Sequence, residues 1–313
     1  MLIAIDHGNY AIKTVSDSFI SGLSEYSVQP PLAADVIEWE GKYWTLTGSR
    51  IPYMRDKSKD NRFFILTLFA IARELKSHGE LPPYTDIDLA AGLPPEHFSI
   101  LKERFAKYFK REAVKFVYNG TPICVSIRRV FVYPQAYAAV VPQSRTLINT
   151  PRLFVIDIGG YTTDVLLLCN GKPDLQFCRS LETGVITMNN DIIGKVGALH
   201  DMRIEDDHIS CVIRGKETIL PEEVIKTVRE SAKHHSDTIL DKLRELQVDL
   251  RSNPAIFIGG GSILFKPYIE ASSMVVKADF VSDPRANATG YGMLVAGQLR
   301  ALNGNGGGVL ENI

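Results

Sequence analysis

The chain of 313 residues has few of the features that mark a function at first sight. Its four cysteines (Cys124, Cys169, Cys178 and Cys211) show no C-x-x-C spacing and no partnered histidine pattern. Neither a disulfide framework nor a zinc site is therefore expected; reduced thiols in a cytoplasmic protein are. No apolar stretch approaches the ~20 residues of a membrane span, and no basic segment leads into an apolar one at the N-terminus, so a signal peptide is not expected either. Charge of one sign is also missing: 35 Lys plus Arg oppose 36 Asp plus Glu, for a net charge of −1. Direct nucleic-acid binding therefore has no electrostatic footprint. G-x-x-x-x-G-K-[ST], G-x-G-x-x-G and G-x-S-x-G are all absent. The 45% hydrophobic and 23% charged content is that of an ordinary globular protein, and the length points to two lobes.

What the chain does have is one phrase written twice, 151 residues apart. Leu2-Ile-Ala-Ile-Asp6-His-Gly8-Asn-Tyr10-Ala-Ile-Lys13 aligns without gaps on Leu153-Phe-Val-Ile-Asp157-Ile-Gly159-Gly-Tyr161-Thr-Thr-Asp164. Each copy reads as a buried strand, a tight glycine turn and a second strand. The carboxylate ending the first strand would face whatever the turn surrounds, so two such hairpins suggest a nucleotide clamp.

The remaining pattern is α/β. Strands are expected over 1–28, at a hairpin around Trp39-Glu40-Gly41-Lys42, at Asp86–Gly92, Val114–Tyr118, Ile123–Val132 and Ala255–Ile258. Helices are expected over Phe63–Ser77, Pro95–Lys110, Val185–Val196, Pro221–Leu246 and Gly290–Arg300. Tyr133–Val140 reads as a strand handing over to a helix. His200 and His208, among Asp201, Asp206 and Asp207, read as a solvated loop, and His234-His235 as solvated positions on the long helix. The lobes are read as 1–150 with the C-terminal helix 291–303, and 151–290. Smaller subdomains are placed at about 33–62 and 190–250, and a flexible tail at 304–313.

Four groups of residues carry chemistry. Asp6 and Asp157 would repel a triphosphate unless a divalent cation lay between them; Mg²⁺ held through waters satisfies both sides. The amides of Gly8-Asn9 and Gly159-Gly160 can approach phosphate oxygens. Lys13 would neutralise phosphate charge, and Thr162 and Thr163 add hydroxyls. Gly259-Gly260-Gly261-Ser262, between a strand and a helix, lets a nucleotide lie against backbone near a helix N-terminus. Gln135, at a strand-to-helix junction, can orient a water for attack on a γ-phosphate.

Taken in order, these elements resemble the actin-type (ribonuclease H-like) nucleotide-binding fold shared by actin, DnaK-type chaperones and sugar kinases. Phosphate-1 is matched by Ile5–Lys13, connect-1 by Val132–Ala139 and phosphate-2 by Ile156–Asp164. The adenosine motif is matched by Ile258–Ser262 and connect-2 by Asn287–Met293. With Leu89-Ala-Ala-Gly-Leu-Pro94, His97-Phe98 and Asp283-Pro-Arg-Ala-Asn-Ala288, the chain looks most like plasmid-segregating actin-like proteins of the ParM (StbA) type. The resemblance implies two similar lobes around a nucleotide cleft, ATP with Mg²⁺, and self-association into filaments that hydrolyse ATP. It also implies movement of plasmid DNA through an adaptor bound to a centromere-like site. Carried over, Asp6 and Asp157 would hold hydrated Mg²⁺, Lys13 would contact phosphate, and Gln135 would position the attacking water. Gly259 to Ser262 would border the adenosine, Thr183-Gly184 the ribose, and Lys226 and Glu230 the purine. His7 sits where relatives vary, and some of them carry glutamate in place of Gln135. The alternatives are a small-molecule kinase of the same fold, with Asp164 as its catalytic carboxylate, and a nonpolymerising switch or chaperone-like module.

Overall fold

A computed structural model describes residues 1–303 apart from Leu32, Glu80, Ser144, Arg145, Thr146 and Ile148. The tail expected at 304–313 lies outside the described residues. The chain divides into two compact units, Met1–Pro142 together with the segment from Arg285 onward, and Gln143–Pro284.

In the first unit the strands are β1 (Leu2–His7), β2 (Ala11–Lys13), β3 (Ser18–Ile20), β4 (Leu23–Tyr26), β5 (Val36–Trp39) and β6 (Lys42–Leu46). Helix α1 (Arg62–Ser77), β7 (Tyr84–Leu93), α2 (Pro95–Phe109), β8 (Val114–Tyr118), β9 (Thr121–Pro134) and the short α3 (Tyr137–Val140) follow. They form one nine-stranded sheet in the order β3-β2-β1-β7-β9-β8-β5-β6-β4. The expected hairpin at Trp39–Lys42 closes through Glu40 and Gly41, both at positive φ (52° and 74°), the two-residue turn that matches strand twist. Segment 36–46 thereby extends the sheet of its own unit. In helix α1, Phe63 to Ala72 is buried without interruption, the mark of a helix enclosed on all sides.

The second unit contains β10 (Arg152–Ile158), β11 (Thr163–Cys169), β12 (Lys172–Leu181), α4 (Val185–His200), α5 (Asp206–Ile213) and α6 (Glu222–Glu245). Strand β13 (Ala255–Ile258), α7 (Gly259–Glu270) and β14 (Ala278–Phe280) complete it, and α8 (Ala286–Asn303) belongs to the first unit. Its sheet has the order β12-β11-β10-β13-β14. Helices α4 to α7 share one apolar core with this sheet, including Phe154, Ile192, Val228, Leu243, Phe257 and Phe265.

The two sheets contain the same five-strand plan. In each, the first strand is flanked by an antiparallel meander on one side (β2-β3, β11-β12) and by two parallel strands on the other (β7-β9, β13-β14). The sequence repeat is thus a repeat of register. Asp6 pairs with Lys13 across the first hairpin, and Asp157 with Asp164 across the second.

One expected loop is a helix. Residues 206–213 form α5, with Ile209 and Val212 buried. Asp206 and Asp207 lie in its first turn, where the dipole favours acids. The Glu205 N–H donates to His208 Nδ1 at 3.1 Å, half of a capping box. The acidic residues that suggested a solvated loop are a helix N-terminus.

Candidate functional site

In the first unit, Asp6 is 3% exposed at the end of β1. Two partners hold its carboxylate: Gln135 Nε2 donates to Oδ1 at 2.9 Å, and Lys13 Nζ lies 3.6 Å from Oδ2. Lys13 reaches Asp6 across the β1–β2 hairpin, and Gln135, 129 positions away, through the parallel β1-β7-β9 arrangement. Asn9 accepts a hydrogen bond from the Met54 N–H through Oδ1 at 3.2 Å, and the Gly8 carbonyl accepts from Ser21 Oγ at 2.7 Å. Both contacts pin the turn to its own unit.

Strand alternation turns His7 away from Asp6, into the core. It is fully buried, stacked on Phe109 at 4.6 Å, with Nε2 2.9 Å from Thr67 Oγ1. The Thr67 hydroxyl donates to the Phe63 carbonyl, so Nε2 is the protonated nitrogen. Burial, helped by the nearby Lys57 ammonium, lowers the pKa of His7 to about 3 and keeps the ring neutral.

Gln135 ends β9, and the next residue is strained. Ala136 has φ 65° and ψ −52°, and the Tyr137 N–H closes on the Gln135 carbonyl at 2.7 Å. This is the positive-φ γ-turn, rare for a residue with a Cβ, and such conformations cost of order 1–3 kcal/mol. Ala136 carries no sequence signal for it.

In the second unit, Thr162 Oγ1 donates to Asp164 Oδ2 at 3.1 Å. Thr163 turns inward, its hydroxyl donating to the Thr183 carbonyl at 3.2 Å. The turn carbonyls of Gly159, Gly160 and Tyr161 accept from the N–H groups of Val185, Ile186 and Gly184. The N-terminus of α4 is thus seated on the turn. The Gly159 N–H closes the turn itself on the Thr162 carbonyl at 2.8 Å. Gly184 lies so close that a Cβ would stand 2.3 Å from the Gly160 carbonyl oxygen, hence the need for glycine there.

The glycine run opens α7 directly from β13, with Ile258 paired to Asp157. Gly259 has φ 84°, and a Cβ on it would lie 2.4 Å from Asp157 Oδ1. Gly260 faces open space. Ser262 is fully buried, its hydroxyl donating to the Gly259 carbonyl at 2.8 Å. The adenosine-type turn and the phosphate-type hairpin therefore meet at the Asp157 carboxylate.

The long helix corrects two histidine expectations. His235 is not solvated: its Nε2 lies 3.2 Å from the Thr183 carbonyl and its ring stacks on Phe265. Burial lowers its pKa. His200 likewise bonds Thr227 Oγ1, at 2.8 Å. Lys226 and Glu230 stand on the exposed face of α6, 3.9 Å from each other. The residue that α6 brings to the Thr183-Gly184 turn is His235.

The oxygen-rich donors suit Mg²⁺. Among the described residues no group of three or more His, Cys, Asp or Glu could hold a metal. No helix of the described residues is long and apolar enough to cross a membrane.

Residues 4–137 match the family of actin-like protein N-terminal domains, and residues 155–271 that of the C-terminal domain of archaeal MreB-like actin homologues. No curated protein matches the chain by sequence. Among solved structures, the archaeal actin homologue Ta0583 superposes with a TM-score of 0.74 at 19% identity, covering 94% of this chain and 99% of its own. The same homologue has been solved in complex with ADP (TM-score 0.71, 18% identity, 93% and 97% covered). The psk41 ParM protein without ligand gives 0.70 at 15% identity, over 97% and 99%. A 15-stranded ParM filament from Clostridium botulinum gives 0.72 at 18%, over 95% and 99%. Two domain matches in order, on a fold that repeats one hairpin plan in two units, make this chain a member of the actin-like proteins, similar to those of the ParM type.

Proposed function

We propose that the chain is an ATPase that assembles into filaments and segregates plasmid DNA in the cytoplasm, through an adaptor protein bound to a centromere-like site. The observation that carries this reading is the equivalence in register of Asp6 and Asp157, each ending the first strand of a glycine-turned hairpin. In this reading Gly8, Asn9, Lys13, Gly160 and Thr162 surround the phosphates, with Gly159 and Thr163 shaping their turn. Gly184, Gly259, Gly260, Gly261 and Ser262 border the nucleoside. Asp6 and Asp157 hold Mg²⁺ through waters; when bound, the ion neutralises charge on the phosphate oxygens.

Gln135 has no basicity to remove a proton, so its role is orientation: its amide, fixed on Asp6, presents its remaining oxygen to a water. Closure of the two units on ATP would couple nucleotide state to subunit contacts. Head-to-tail contacts that do not close into a ring give open helices, the form filaments require. Support comes from the ADP complex of Ta0583 for nucleotide use and from the Clostridium botulinum ParM filament for assembly.

The test is right-angle light scattering of the purified protein with Mg-ATP, read beside phosphate release. Scattering should rise above a critical concentration, with phosphate release accompanying or lagging it. Turnover with flat scattering at all concentrations would overturn filament formation and leave a kinase or switch. No turnover would overturn the ATPase itself.

A further inference from the structure

The backbone around Gln135 is held at three points. Its own N–H donates to the Leu93 carbonyl at 2.8 Å, and its carbonyl accepts from the Tyr137 N–H at 2.7 Å. The third point is the peptide N–H that follows it, on Ala136, which donates to Asn287 Oδ1 at 3.1 Å in a buried contact. The first two partners are backbone; the third is a side chain, from the second residue of α8, 151 positions further along. That peptide is also the strained one, with Ala136 at φ 65°. A strained turn persists where its surroundings over-determine it, and the Asn287 oxygen is the side-chain part of that determination.

Packing fixes where this oxygen stands. A Cβ on Gly290 would lie 1.8 Å from the Ala138 carbonyl oxygen, and one on Gly92 would lie 1.9 Å from the Tyr291 hydroxyl. Helix α8 therefore sits directly on α3 and on the end of β7, one turn from Asn287. Asn287 itself is 8% exposed, so its amide is aimed by the core and not by solvent.

We propose that Asn287 is a positioning residue for hydrolysis: by accepting the Ala136 N–H it locks the strained turn that aims Gln135, and so links α8 to the chemistry. The proposal rests on the reading of Gln135 as the residue that orients the water. Removing the acceptor leaves the nucleotide contacts in place but lets the Gln135–Ala136 peptide rotate. The loss falls on kcat, and nucleotide affinity is spared.

The test compares wild type, Asn287→Ala, Asn287→Asp, Gln135→Ala and the double variant Gln135→Ala/Asn287→Ala. Single-turnover ATP hydrolysis is measured beside the Kd of a fluorescent ADP analogue. Asn287→Ala should slow hydrolysis about tenfold with Kd changed less than twofold, and Asn287→Asp, which keeps an acceptor oxygen, should recover most of that rate. In the Gln135→Ala background the second substitution should slow hydrolysis less than twofold. Should Asn287→Ala fail to fold, Asn287→Ser, too short to reach the Ala136 N–H, carries the same expectation. Unchanged hydrolysis in a folded Asn287→Ala or Asn287→Ser protein overturns the proposal, as does a further tenfold loss on top of Gln135→Ala. Wild-type hydrolysis by Gln135→Ala alone overturns the water-positioning role of Gln135 itself, and the proposal with it.

Discussion

The two hairpins share a backbone plan and differ in charge at one register position. Opposite Asp6 stands Lys13; opposite Asp157, at the equivalent place, stands Asp164. In the first unit the carboxylate has a cation 3.6 Å away and an amide donor besides. In the second, two acids stand opposite each other in register, and Asp164 accepts a hydrogen bond from the Thr162 hydroxyl. The residue after the carboxylate differs as well: His7 in one unit and Ile158 in the other, both buried. Duplication of a scaffold thus need not duplicate a function. In the proposed function, the first hairpin, with Lys13 beside Asp6, would meet phosphate, and the second would carry the larger share of cation binding.

Exchanging the differing residues breaks the comparison in graded steps. The largest effect is expected from Asp164→Lys, which gives the second hairpin the first one's pairing and sets an ammonium opposite Asp157, the carboxylate proposed to hold Mg²⁺. Hydrolysis should fall by roughly a hundredfold, about 2.7 kcal/mol at the transition state, with the far-UV circular dichroism of wild type. Gly259→Ala follows, because its φ of 84° and the 2.4 Å approach to Asp157 leave no room for a Cβ. Urea unfolding should show a loss of about 2 kcal/mol, whereas the neighbouring Gly260→Ala should stay within about 0.5 kcal/mol.

The third step makes His7 resemble its counterpart. With its pKa lowered from 6.5 to about 3, the folded chain refuses a proton that the unfolded chain accepts below pH 6.5. Its share of stability is complete above pH 6.5 and declines as pH falls toward 3, by roughly 1.4 kcal/mol per unit. Between pH 6.5 and 5 the loss is about 2 kcal/mol, and His7→Ile should remove that slope from urea midpoints measured across the range. The smallest effect is expected from Lys13→Gln. Losing one partly buried cation proposed to meet the phosphates should weaken ATP binding about fivefold, about 1 kcal/mol, in a titration of a fluorescent analogue.

Both hairpins were legible in the sequence because a short continuous apolar run ending in Asp-x-Gly admits few alternatives, and repetition without gaps fixed their register. The same holds for the Glu40-Gly41 turn and for the helices at 62–77, 95–109 and 222–245. Strand β12 went unread although Asn170-Gly171, at φ 50° and 77°, is the residue pair its turn needs; the alternation that follows is too irregular to announce a strand, and pairing slips between Leu166 and Leu167. Helix α5 was hidden because capping residues look like loop residues when read alone. Within the candidate site, residues near a glycine turn, and Gln135 at its strand-to-helix junction, were named from the sequence, whereas His235, which only tertiary packing brings there, was not. His235 reaches Thr183 only through the seating of α6 on α7 and α4, and the strain at Ala136 belongs to no residue-type rule.

The central claim of the proposed function is that Asp6 and Asp157, equivalent in register, both contribute to Mg-nucleotide use, with unequal shares. The most direct test is the Mg²⁺ dependence of ATP hydrolysis in wild type, Asp6→Asn and Asp157→Asn, each titrated at saturating ATP. The account predicts that Asp157→Asn raises the Mg²⁺ needed for half-maximal rate at least tenfold, and Asp6→Asn by less than threefold, because Lys13 and Gln135 already engage that carboxylate. Equal shifts in the two variants, or a larger one in Asp6→Asn, would contradict it.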